Sequence, residues 1–84
     1  MLAFILAKIE SGKDREALSK IKRLKGTKRA YPTYGPYDMI VEVEFENSRN
    51  LDSFVIDKIR KIEGVKETAT LICSEMLMWE MGIR

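Results

Sequence analysis

The segment Gly35-Pro36-Tyr37-Asp38 is where this chain could hold a small polar ligand. A loop glycine lets backbone approach a ligand closely, the Asp38 carboxylate can accept hydrogen bonds from an α-ammonium group, and loop N–H groups can bind a carboxylate. The same four residues also suit an ordinary β-turn with Asp opening a strand, and spacing alone does not separate the two. Thr68 and Thr70 form a second polar pair on one face of a strand, with Ile72 and opposite Val65. Threonine in a strand also follows from β-propensity alone.

Two further constellations carry less. Lys20 to Arg29 holds six basic residues in ten, followed by Tyr31, Tyr34 and Tyr37. That pattern could be a phosphate-binding patch with stacking rings. It equally describes a solvated helix end where cations complement the helix dipole, and the latter weighs more. Cys73, Met76, Met78 and Met81 form a soft cluster that Cu(I) could take, but one thiolate without a second thiolate or an imidazole is a poor site, and thioether packing is preferred. No metal and no cofactor are expected.

With no His and one Cys in 84 residues, Cys/His zinc sets and every mechanism with a histidine base are excluded. Acid–base candidates reduce to Asp38, Tyr31, Tyr34 and Tyr37. A small dimeric α+β-barrel enzyme stays a distant alternative, and the chain is read as a non-enzyme. The apolar start, Leu2 to Ala7, is far below membrane-spanning length and lacks the charged flank of a signal peptide. A cytoplasmic protein is expected.

These residues must be positioned by elements that the hydropathy pattern defines. Leu2 to Ile9 is apolar at nearly every position, which suits a strand covered on both faces. Ser11 and Asp14 stand at capping-box spacing before Ala17, Leu18, Ile21 and Leu24, so a helix is predicted from about Lys13 to Leu24, stopped at Gly26. Thr27 to Tyr34 reads as a strand that Pro32 confines to an edge or a bulge. Met39, Val41, Val43 and Phe45 alternate with Glu42, Glu44 and Glu46 as a half-buried strand. Asn47, Ser48 and Asn50 are candidate N-caps for a second helix facing inward through Leu51, Phe54, Val55, Ile59 and Ile62. Gly64 stops it, and Val65 to Ser74 forms the fourth strand.

Ile21-Lys22-Arg23-Leu24-Lys25-Gly26-Thr27-Lys28 also repeats as Ile59-Arg60-Lys61-Ile62-Glu63-Gly64-Val65-Lys66. Two such units predict an α+β, ferredoxin-like β-α-β-β-α-β fold. It has a four-stranded antiparallel sheet with two helices on one face. The opposite face then carries Phe4, Leu6, Ile40 and Ile72, which a chain this small leaves bare unless a second copy covers them. A homodimer, as an α+β barrel or sandwich, is the expected assembly. The RNA-recognition motif shares this topology, but the third strand here displays glutamates where that motif displays aromatics, so direct nucleic-acid binding is not expected.

Taken in order, GPYDMIVEV, LDSFV and IEGVKETATLI closely resemble the effector-binding (RAM) domain of the leucine-responsive and AsnC family of transcription regulators. The resemblance implies an amino-acid-binding, oligomerising module for transcriptional regulation of amino acid metabolism, a homodimer that joins into a ring of four dimers, and pockets between dimers. It nominates Gly35, Tyr37 and Asp38, with Thr68 and Thr70, as effector contacts. Residues 1–75 would be the RAM-like domain and 76–84 an apolar tail packed on the oligomer. Typical members carry a helix-turn-helix domain ahead of this unit, whereas the first strand here starts at Leu2. A stand-alone domain is therefore expected, sensing a ligand or co-assembling with full-length regulators. No membrane partner is implied.

Overall fold

The apolar N-terminal run forms β1 (Leu2–Ile9), an inner strand of one antiparallel sheet ordered β2-β3-β1-β4. In the computed structural model, which describes residues 1–83, the remaining elements are α1 (Asp14–Arg23), β2 (Thr27–Pro32), β3 (Met39–Glu44), α2 (Ser48–Phe54), β4 (Val65–Ile72) and α3 (Glu75–Glu80). α2 runs on through one π-helical turn, Val55–Ile59. This is the ferredoxin-like arrangement, with a third short helix added at the end. β2, carrying Pro32, is an edge strand as predicted.

Alternation decides the core. Ala3, Ile5, Ala7 and Ile9 of β1 and Met39, Val41 and Val43 of β3 are buried against Ala17 and Ile21 of α1 and against Leu51, Phe54, Val55 and Ile59. Each large side chain so buried is worth about 1.5–3 kcal/mol over exposure. Leu51, Val55 and Ile59 recur at intervals of four, which drift around an α-helix of 3.6 residues per turn. The wider π turn keeps Val55 and Ile59 both inward, and it is closed by the Arg60 N–H donating to the Val55 carbonyl at 2.9 Å.

The repeated octapeptide builds the same corner twice. Leu24 N–H donates to Ile21 O at 3.1 Å and Ile62 N–H to Ile59 O at 3.1 Å; Thr27 and Val65 then donate to Leu24 and Ile62. Between them Gly26 and Gly64 adopt φ of +113° and +98°, which only glycine accepts readily. A Cβ on Gly64 would stand 2.9 Å from the Lys13 Cβ, so that glycine also makes room for the chain entering α1.

Three expectations need correction. Ser11 does not cap α1: the helix starts at Asp14, its N-cap is Lys13, and no side chain bonds the free N–H groups. Ser11 sits instead in a turn closed by Lys13 N–H on Glu10 O. Ile72 does not share a face with Ile40. It pairs with Ala3 on the helix side, and the outer face is built by Phe4 beside Glu42 and Leu71, and by Leu6 beside Ile40 and Ala69. Val65, expected opposite Thr68, lies on the same side, because a bulge between Lys8 and Ile9 pairs Ile9 with Val65 and Ala7 with Thr68. The bulge inserts one residue and flips everything beyond it.

Asn47 does cap α2, its side chain accepting from Asn50 N–H at 2.9 Å. The C-terminal segment forms α3, capped by Ser74 and ended at Gly82, where Gly82 N–H reaches Trp79 O and Ile83 N–H reaches Met78 O. That pair of bonds is a Schellman motif. Met76, Leu77, Trp79, Met81 and Ile83 remain exposed around it.

Candidate functional site

Asp38 is held where β3 has not yet begun to pair with β1. Its N–H donates to Ala7 O at 2.9 Å, and its Oδ2 accepts from Ile9 N–H at 2.8 Å. The carboxylate thus supplies the acceptor that a longer β3 would have supplied from its backbone. Thr33 closes the loop, its N–H donating to Asp38 O at 3.0 Å and its hydroxyl to Tyr37 O at 2.9 Å. Gly35 sits at φ +116° with open space around it. The loop is therefore rigidly based and open at its tip.

A cleft of about 200 Å³ lies against this base, lined by Asp14, Pro32, Thr33, Tyr34 and Asp38. Asp14, from the first turn of α1, stands out in the sequence only at capping-box spacing from Ser11, not as a ligand contact. Only the placement of an α1 N-terminus beside the β2–β3 loop brings it there. Neither aspartate is ion-paired among the described residues. Asp38 Oδ1 has no hydrogen-bond partner there, so the cleft presents negative charge.

The other nominated residues scatter. Tyr37 turns to the outer face, where Lys8 Nζ stands 5.6 Å from its ring centroid. Thr68 and Thr70 pair with Ala7 and Ile5 on the far side of β1. Two interstrand spacings of about 4.8 Å therefore separate β4 from β3. Thr68 belongs to a second cleft of about 390 Å³, lined by Arg60, Val65, Lys66, Glu67 and Thr68. One chain does not gather all five nominated residues into a single pocket. The sequence carries no signal for Arg60, because its direction depends on the π turn.

The basic run is largely committed. Arg29 pairs with Glu42 at 3.0 Å and Lys28 with Glu44 at 3.2 Å across β2 and β3, Lys20 reaches Glu16 at 3.9 Å, and Arg23 bonds Ser19. The hydrogen bond and charge of Glu42 raise the Arg29 pKa. The acidic face of β3 and the basic strand beside it thus neutralise one another. At the soft cluster, Cys73 is half-buried while Met76 and Met81 are exposed. Among the described residues no helix is long and apolar enough to cross a membrane.

The chain is thus a split β-α-β sheet with a G-x-x-D loop over a small cleft. Residues 2–81 match the Lrp/AsnC ligand binding domain, and the chain belongs to that family. Among its relatives, the HTH-type transcriptional regulator FL11 of Pyrococcus furiosus is 42% identical over 72 residues, covering 86% of this chain and 47% of that protein. The chain spans about half the length of the curated relatives it matches. The crystal structure of FFRP-DM1 superposes with a TM-score of 0.81 at 41% identity, covering 87% of this chain and 97% of that one. Escherichia coli AsnC superposes with a TM-score of 0.83 at 29% identity over 88% of this chain and 50% of that one. The curated relatives are HTH-type transcriptional regulators.

Proposed function

We propose that this domain is an amino-acid-sensing and oligomerisation module in transcriptional regulation, acting as a homo-oligomer or in mixed assemblies with full-length regulators of the family. The observation that carries this reading is the cleft beside Asp38. Its two carboxylates suit an ammonium group, and the Gly35 loop offers unhindered backbone to the rest of the ligand. At about 200 Å³ it falls below the roughly 300–1,000 Å³ of drug-sized pockets, a size suited to a molecule of few heavy atoms. Within one chain Gly35, Asp38 and Asp14 are the proposed contacts, while Tyr37, turned to the outer face, would reach a ligand only from a neighbouring copy. Thr68 and Thr70 join them only from a neighbouring copy.

Assembly is assigned to the outer sheet face, where Phe4, Leu6 and Ile40 adjoin Ala69 and Leu71. An apolar patch of this kind on so small a chain is covered most simply by its own copy. A panel of the twenty amino acids, read by thermal shift and native mass, tests both parts. A ligand at a hundred times its Kd stabilises by about 2.7 kcal/mol, and at least one amino acid should do so. Asp14→Asn should abolish that shift while leaving the native mass unchanged. Absence of any response, alone or mixed with a full-length family regulator, would count against the reading.

A further inference from the structure

The second cleft is where two irregularities of the fold meet. The π turn holds one extra residue, so Arg60 sits about 100° back around the helix axis from where an unbroken α-helix would place it. Across from it, β4 carries the bulge at Lys66 that turns Thr68 toward the helix side. Arg60 Nε donates to Thr68 Oγ1 at 3.2 Å. Thr68 accepts that bond, so its own O–H is free to donate, and the guanidinium keeps its two Nη groups.

Charge in the cleft is net positive. Glu67 lines it but leans to Lys8 on the outer face at 3.9 Å, and Glu63 is taken by Lys13. Arg60 and Lys66 pair with no carboxylate among the described residues. Two cations and one hydroxyl donor therefore converge on a cleft of about 390 Å³ without a counter-ion of their own. Arginine's planar fork and a neighbouring hydroxyl are the donor set that oxyanions select.

We infer that Arg60, Lys66 and Thr68 form a binding site for a small oxyanion, a phosphoryl or carboxylate group, distinct from the acidic cleft at Asp38. Within one chain the two clefts flank the same end of β1 with opposite charge and share no lining residue; Thr68 is the one residue the amino-acid reading also draws on, from a neighbouring copy, and Arg60, which that reading does not use, separates the two sites. The experiment is an NMR titration of the ¹⁵N-labelled full chain at physiological salt, with inorganic phosphate and separately with succinate. Saturable shifts at the Thr68 amide and the Arg60 Nε–H are expected with at least one probe; phosphate alone marks a phosphoryl site, succinate alone a carboxylate site. Arg60→Gln should weaken binding about tenfold or more, and Asp38→Asn should leave it unchanged. Thr68→Val, which keeps the shape and removes the hydroxyl, should weaken it as well and decides the matter if Arg60→Gln perturbs the fold. No saturable shift with either probe, or titrations undiminished in both variants, would overturn the site.

Discussion

Replacing Asp38 by Ala should cost stability before it costs any ligand. Its Oδ2 is the acceptor for the Ile9 N–H at 2.8 Å, and Ile9 is only 6% exposed. Without the carboxylate that N–H loses its partner where little water can replace it. Hydrogen bonds to charged groups are worth about 1.5–3 kcal/mol, and for a half-buried carboxylate about 2 kcal/mol is appropriate. At about 4–8 °C per kcal/mol for a domain of this size, the melting temperature should fall by about 8–16 °C. Asp38→Asn keeps an oxygen acceptor and should lose about half as much. Both proteins must be melted at one concentration, since assembly couples to stability. Hydrogen exchange locates the effect: the Ile9 amide should be protected in the wild type and should exchange far faster in Asp38→Ala. An Asp38→Ala protein that melts with the wild type, its Ile9 amide still protected, would refute the anchoring role. Ligand tests at this residue therefore belong on Asp38→Asn, not on the alanine variant.

Other outcomes follow from the same structure. Ile40→Asp, on the outer face, should dissociate the oligomer in sedimentation, whereas Ile72→Asp, on the helix side, should leave its mass unchanged. The Lys13–Glu63 pair lowers the Glu63 pKa from 4.5 and raises that of Lys13 from 10.5, through their hydrogen bond first and their charges second. Its contribution is thus complete between those values, is lost as pH falls through the folded Glu63 pKa, and is lost again as pH rises through that of Lys13. A double-mutant cycle with Lys13→Met and Glu63→Gln should show coupling at pH 7 that diminishes as the solution is acidified below pH 4.5. Oligonucleotide binding should be weak and steeply salt-dependent, because Lys28 and Arg29 are already paired with glutamates. Submicromolar affinity at physiological salt would contradict it.

What the sequence reveals here is what local chemistry determines. The two-sided apolar run of β1, the strict alternation of β3 and the twice-used glycine corner each leave a periodic or conformational mark, and each is found in place. Asn47 is legible because a cap needs only its own neighbours. Ser11 misleads because capping-box spacing fits a Glu10–Lys13 turn just as well. Ile72 and Val65 are misassigned for a different reason: one bulged residue, invisible in composition, reverses the parity of a strand. The same limit hides Arg60, whose direction depends on a π turn, and Asp14, whose place in the cleft is set by tertiary packing. α3 is missed, because Ser74, read as the end of the fourth strand, caps the helix instead, and a run rich in methionine carries too little periodicity in six residues to mark it.

The position of Trp79 gives the molecule an optical property. It is the only tryptophan in the chain, and on α3 it is 84% exposed. Its indole therefore emits from water in an isolated subunit, and any surface that settles on α3 must dehydrate it and move that emission to the blue. The domain thus carries an intrinsic fluorophore remote from both clefts, able to signal contacts at its C-terminal end without a label and without interference from the tyrosines of the β2–β3 loop.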